Sequence, residues 1–269
     1  MNNQGANYIQ RKYYNDELGH IHYRIAGEKK LNLPLVCFHM SPYSGDQFAL
    51  LQREMSVSHL IICPDTPGYG NSDAPETPPK IEEYATRLMS LCDALGLDKF
   101  NVMGFHTGSV IALEMGRTFP DRIQKIIPIG IPLMEDSKRK KFSQQYSTKR
   151  GFFSDESFLQ NRWHSGINNR GRQSDERFLS YFSDSLSAGV EKGNWGFSAV
   201  FNFDLQKCLL EIKQPVLIPL PNESLKMNSF EASKLLLNVQ ILDWSHMAGD
   251  LFDIHCEEIA DALIKFLDY

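Results

Sequence analysis

Residues 100–120 read FNVMGFHTGSVIALEMGRTFP, and the fold follows from the order of features within them. Residues 100–103 are a short apolar run, the signature of a buried strand. Gly104-Phe105-His106-Thr107-Gly108 then forms a very tight turn, after which Val110, Ile111, Leu113, Glu114 and Met115 follow helical spacing until Phe119-Pro120 ends it. A turn this short brings the strand and helix backbones together two positions either side of its centre, and Gly104 and Gly108 leave room for that approach. His106 stands at the centre. The helix beginning near Thr107 offers free N–H groups and a positive dipole end to an anion.

Working outward, residues 8–26 alternate with period two around a turn near Asn15-Asp16, a hairpin. Residues 34–38 (PLVCF) are a continuous apolar run, as expected of a central strand covered on both faces, and 59–64 (HLIICP), 123–132 (IQKIIPIGIP), 214–220 (QPVLIPL) and 238–243 (NVQILD) read as further strands. Pro128 is unexpected inside such a strand, because it lacks a ladder donor. Helices are expected over 46–55, over 81–95, where Ile81, Tyr84, Ala85, Leu88, Leu91, Cys92 and Leu95 share a face, and over 254–267, with Ile259, Leu263 and Phe266 inward. Residues 133–204 differ: charged, rich in aromatic residues and mostly helical in spacing.

Three strand ends carry motifs. His39-Met40-Ser41-Pro42 follows the first central strand, Asp65-Thr66-Pro67-Gly68-Tyr69-Gly70-Asn71-Ser72-Asp73 the second, and Gly104–Gly108 the third. Together they resemble the α/β-hydrolase superfamily, in particular its proline-iminopeptidase, haloalkane-dehalogenase and epoxide-hydrolase branches, over most of the chain. The resemblance implies an α/β fold: a mostly parallel eight-stranded sheet with helices on both faces, a core formed by residues 1–132 and 205–269, and a helical cap, 133–204, inserted after the strand at 123–132. It also makes the tight turn a nucleophile elbow, G-x-Nu-x-G. Here the central residue is His106, where that family carries Ser, Asp or Cys. An Asp nucleophile is absent, which argues against the dehalogenase and epoxide-hydrolase reactions.

The same resemblance assigns other positions. Backbone N–H groups of Ser41 and Thr107 would receive an oxyanion, although Met40 replaces the family's glycine, and His39 would support that loop. His246 matches the family's histidine. The orienting acid falls at Ser224, with Glu223 one position early. Met40, Phe105, Trp163 and Met247 would line the substrate pocket, and His164 is expected to face solvent. The resulting expectation is an atypical hydrolase with His106 and His246 as the working pair on a small, partly apolar, ester-like substrate. Lyase or decarboxylase chemistry, or ligand binding at a degenerate site, are the alternatives. The hydroxyls of Ser41, Thr107 and Ser109 are poor substitutes for a nucleophile.

A two-His, one-carboxylate metal set drawn from His106, His246 and Asp65, Glu223 or Asp250 lacks any supporting ligand spacing, so neither metal nor cofactor is expected. A formal charge of −5 over 269 residues gives no long-range attraction to nucleic acid or anionic membrane. No apolar run approaches the roughly 20 residues that span a bilayer, and residues 1–16 lack a signal-peptide core. A cytoplasmic monomer or homodimer binding a small molecule is the expectation. The five cysteines are scattered and read as reduced, mostly buried thiols. His20 and His22, alternating on an early strand, read as a surface feature, and His59 and His255 as surface or helix-face residues.

Overall fold

The apolar runs become the middle of one sheet. In a computed structural model, which describes residues 8–29, 32–147, 156–248 and 250–268, they form β3 (Leu35–Phe38), β4 (Ile61–Pro64), β5 (Phe100–Phe105), β6 (Ile123–Ile129) and β7 (Val216–Pro221). All are buried except at Gln124 and Lys125. The alternation of a strand splits their side chains between two cores. Val36 and Phe38 pack with α2 (Ile81–Ala94) and α3 (Thr107–Thr118), while Leu35 and Cys37 pack with α1 (Ala49–Met55) and α12 (Cys256–Asp268). Eight strands run in the order β1-β2-β4-β3-β5-β6-β7-β8, where β1 (Gln10–Asp16) and β2 (Gly19–Ala26) form the expected hairpin and β8 (Val239–Trp244) is an edge. β2 meets β4 antiparallel; every pairing from β4 through β8 is parallel.

That order opens a crevice at the sheet edge. From β3 the chain steps to β4 on one side and later to β5 on the other, so the loops leaving β3 and β5 diverge. Open α/β sheets bind ligands at this kind of reversal, beyond the carboxyl ends of the strands. The 39–44 loop and the turn at His106 both lie there.

Pro128 finds its explanation in the register. The Ile126 N–H donates toward β7, to Pro215 O at 3.1 Å, and Ile126↔Val216 is the only β6–β7 pair in the ladder. Pro128 points to the same side two residues on, where no donor is used. Two other expectations change. The helix expected at 46–55 opens as a 3₁₀ turn, Gly45–Phe48, before α1, and the closing helix is preceded by a separate turn, α11 (Leu251–Ile254). Phe266 packs half-buried against the core as expected, and the more deeply buried Leu267 extends the inner stripe of α12.

Between β6 and β7 lie α4 (Asp136–Ser147), α5 (Glu156–Asn169), α6 (Asp175–Ser187), α7 (Gly189–Lys192) and α8 (Trp195–Asn202), followed by α9 (Leu205–Glu211). Phe142 and Tyr146 on α4 stack on Phe201 and Phe197 of α8. α6 is tied to the loop after β3. Its Arg177 guanidinium pairs with Asp46 at 2.6 Å and with Asp253 at 2.7 Å, and its Asp184 accepts from the Ser44 hydroxyl at 2.5 Å. After β7, α10 (Lys226–Ser233) completes the layer. Cys37, Cys63, Cys92 and Cys208 are buried free thiols and Cys256 is half-buried. Among the described residues no helix is long and apolar enough to cross a membrane.

Candidate active site

His106 is the single non-glycine residue at positive φ among those described, with φ 50° and ψ −107°. The surroundings leave it no alternative. Its N–H donates to Ile129 O at 2.9 Å, and its carbonyl accepts from the Ser109 N–H at 3.0 Å and hydroxyl at 2.6 Å. A Cβ on Gly104 would sit 2.0 Å from Gly108 O, and one on Gly108 would sit 1.9 Å from Phe38 O. Both glycines are therefore demanded by close approach, and the start of α3 is pressed against the end of β3. Ser109 serves the turn, as its place in the first helical turn suggests.

The imidazole lies over Gly130, where a Cβ would come within 2.2 Å of its Cδ2. Its Nε2 is 3.1 Å from Glu223 Oε2. Glu223 extends from the loop after β7 and also accepts from the Leu225 N–H at 2.9 Å. Burial alone would raise this carboxyl; the His106 hydrogen bond and charge, with Leu225 N–H and the Ser224 hydroxyl, outweigh it and hold Glu223 below its ordinary value. The carboxylate is thus ionised at neutral pH and accepts from Nε2–H. Nδ1 of His106 has no protein hydrogen-bond partner among the described residues.

Opposite the turn, the loop after β3 is built around a neutral histidine. His39 Nδ1 donates to Met40 O at 2.9 Å, while Nε2 accepts from the Thr66 N–H at 2.8 Å. Burial lowers its pKa and keeps it uncharged. This is the supporting role expected of it. The Ser41 hydroxyl is engaged by buried Tyr69, whose oxygen in turn accepts from the Gly196 N–H at 2.7 Å. That leaves the backbone of Ser41, and no described acceptor takes its N–H or that of Thr107.

Next to the loop, Asp65 accepts from the N–H groups of Gly45 and Asn71 and pairs with His22 Nδ1, each at 2.8 Å. His22 is buried and structural, which overturns its reading as a surface residue; His20, one alternation away, does lie at the surface, on Asp73. His59 is buried too, held by Asp268 at 3.1 Å.

A cavity of about 660 Å³ joins these parts. The core contributes Met40, Ser41, Phe105, His106, Thr107 and Glu223; the helices between β6 and β7 contribute Arg162, Asn168, Asn169, Phe178, Phe182 and Phe197. Another cavity, about 720 Å³, lies between the β1–β2 turn and α2, and it touches none of the strand-end residues except Pro67 and Asp73.

The family model described as alpha/beta hydrolase fold matches residues 34–220. The chain belongs to the α/β-hydrolase fold family. Mouse (Mus musculus) epoxide hydrolase 4 is 30% identical over 113 residues, 41% of this chain and 31% of that protein. Proline iminopeptidase of Lactobacillus acidophilus is 32% identical over 112 residues, 39% of this chain and 38% of that one. The chain thus spans about a third of the length of the curated relatives it matches. A hydrolase structure from Pseudomonas aeruginosa PA01 superposes with a TM-score of 0.79 at 13% identity, covering 96% of this chain and 98% of that one.

Several residues assigned by resemblance lie elsewhere in this α/β-hydrolase-fold protein. His246 does not reach His106. The turn after β8 buries Trp244 and Met247, with Met247 N–H donating to Trp244 O at 2.8 Å, and this turns Ser245 and His246 outward. His246 is 55% exposed and bonds Glu258 at 2.9 Å. Met247 is a core residue, fully buried, not a pocket residue. Trp163 is 41% exposed on α5, packed edge-on against Phe178 and Phe182, and does not line the cavity. Ser224 is exposed, with its hydroxyl 3.4 Å from Glu223. Glu223, the nearer acid in sequence, is the one that meets a histidine, and that histidine is His106. With His246 at the surface, the conjectured two-His metal set around His106 is not assembled. His164 is exposed, as expected.

Proposed function

We infer that this chain is a hydrolase of small ester-like substrates in which His106, oriented by Glu223, does the proton work. The observation that carries this reading is the 3.1 Å contact of His106 Nε2 with the Glu223 carboxylate, on the cavity wall beside two unclaimed backbone N–H groups. Glu223 accepts the Nε2 proton, which fixes the tautomer and leaves Nδ1 as the basic nitrogen. His106 Nδ1 takes a proton from water as its oxygen attacks the substrate carbonyl. The N–H groups of Ser41 and Thr107 receive the developing oxyanion. Glu223 stabilises the imidazolium, which returns the proton to the departing alkoxide as the C–O bond breaks. The acid and the alcohol leave, and one water is consumed.

The mixed lining supports a substrate with both apolar and polar parts. Phe105, Phe178, Phe182 and Phe197 line the cavity together with Arg162, Asn168 and Asn169. We include residues 133–204 in this reading as the cap. The residues described within that range supply about half of those lining the cavity.

The test is turnover of short activated esters by wild type, His106→Ala, His106→Ser, Glu223→Gln and His246→Ala. Loss of a positioned base costs about 10²–10⁴-fold, so His106→Ala and Glu223→Gln fall steeply while His246→Ala stays within a few-fold. An inert wild type whose His106→Ser variant gains turnover overturns the reading. That result would leave a hydrolase-ready scaffold with other work.

A further inference from the structure

The outward turn that removes His246 from the cavity carries it into a second cluster. His246 comes from the turn after β8, His255 from the junction of α11 and α12, and Glu258 from the first turn of α12. Their donor atoms all lie within 4.8 Å of one another. His246 Nε2 is 2.9 Å from Glu258 Oε1, His255 Nδ1 is 3.9 Å from Oε2, and the two rings stand edge-on with centroids 5.9 Å apart.

We propose that His246, His255 and Glu258 form a binding site for a zinc-class divalent cation, separate from the His106 cavity. Nitrogen and oxygen donors sit about 2.0–2.2 Å from zinc, so tetrahedral ligands lie roughly 3.3–3.6 Å from each other. The observed 2.9 and 3.9 Å, one to each oxygen of the Glu258 carboxylate, bracket that spacing. Two imidazoles and one carboxylate select zinc and its transition-metal neighbours over magnesium or calcium, which require oxygen shells. Three protein ligands leave a fourth position for water at this exposed site.

One neighbour must yield. Arg172 Nη2 lies 2.9 Å from His255 Nε2, so that nitrogen now accepts from the guanidinium. When Nδ1 binds the metal, Nε2 holds the ring proton and Arg172 withdraws. Arg172 is two-thirds exposed and keeps Asp250, whose Oδ2 also takes its backbone N–H at 2.8 Å. The bound ion ties the loop after β8 to α12. Ala248, Phe252 and Asp253, between those anchors, form part of the cavity wall, so the ion braces that wall without entering the cavity.

The proposal stands apart from the hydrolase reading, and its test needs no turnover. Untagged protein, stripped with chelator, is titrated with Zn²⁺ by calorimetry, and its melting temperature is followed with Zn²⁺ and with Mg²⁺. One equivalent of Zn²⁺ binds wild type and raises its melting temperature, whereas Mg²⁺ does neither. His255→Ala and Glu258→Gln each weaken binding at least tenfold, and His164→Ala, an exposed histidine outside the cluster, leaves it unchanged. Co²⁺ bound in place of Zn²⁺ gives the intense visible absorption of a four-coordinate ion in wild type and loses it in both variants. Should either variant fail to fold, the other decides, together with the cobalt spectrum. Absence of binding at millimolar Zn²⁺, or affinity indifferent to both substitutions, overturns the proposal.

Discussion

At position 106 the backbone and the side chain make opposite demands. The φ of 50° suits glycine, yet the cavity receives an imidazole there. Strain of this kind costs of order 1–3 kcal/mol and persists only where the surroundings hold it; here Ile129 O and Ser109 do so. A pair of variants separates the backbone cost from the imidazole's own contacts. His106→Ala and His106→Gly both lose the Glu223 bond, so their difference reports the φ preference. Alanine ordinarily exceeds glycine in stability by about 0.5–1 kcal/mol through the unfolded chain. At this position the order inverts, with glycine the more stable by about 1 kcal/mol in denaturant unfolding. An alanine variant as stable as the glycine one would mean the turn relaxes once the imidazole is gone.

Among the elements, α6 decides how the helices after β6 sit on the sheet. Arg177 holds Asp46 and Asp253, and four residues of one helix meet residues 44–47: Arg177, Ser180, whose hydroxyl donates to Asp46 at 2.9 Å, Tyr181, whose hydroxyl donates to Gln47 O at 3.2 Å, and Asp184. Asp184 is the strained member. Burial, chiefly, with the nearby charges of Asp65 and Asp46, pushes its carboxyl up to about 6, against the opposing Ser44 hydrogen bond and Arg24 charge. Between the ordinary aspartate value and about 6, the folded chain binds more protons than the unfolded one, so stability declines as pH rises through that window. Asp184→Asn, which still accepts from Ser44, removes the penalty. Its unfolding free energy exceeds wild type by about 1–2 kcal/mol above pH ~7, and the gain shrinks through that window and vanishes only below the ordinary aspartate value. A gain independent of pH would assign the effect to packing instead.

None of these α6 contacts is legible in the sequence, because Arg177 and Asp46 are separated by 131 positions and both look like ordinary surface charges. The central strands are legible, since burial on both faces forces continuous apolar runs. So is the turn at His106, since only glycine fits at 104 and 108. The loops after β7 and β8 are not. Whether Glu223 or Ser224 points inward, and whether His246 or Met247 does, depends on one residue of turn geometry. Met247 takes the buried place because its side chain fills the core beside Trp244.

For the whole molecule, the reversal of strand order at β3 opens a crevice, the helices after β6 close it over, and what remains is a cavity of about 660 Å³. A volume in the range of a drug-sized ligand's site limits chain length as well as chemistry. Its wall is braced from two sides, by Arg177 on the core and by the α4–α8 aromatic stack, in which Phe197 lies 4.8 Å from Tyr146. Turnover of a homologous ester series should therefore rise through short acyl chains, as each methylene finds apolar wall worth about 0.8 kcal/mol, and then fall once the cavity is full. Phe197→Ala enlarges the cavity and removes one stacking partner, so its optimum moves to longer acyl chains while short esters turn over more slowly. Steady-state kinetics across the series measures both effects, with KM carrying the shift. An optimum that stays in place in Phe197→Ala would put the acyl group elsewhere in the crevice, against other apolar lining such as Phe105 and Phe252.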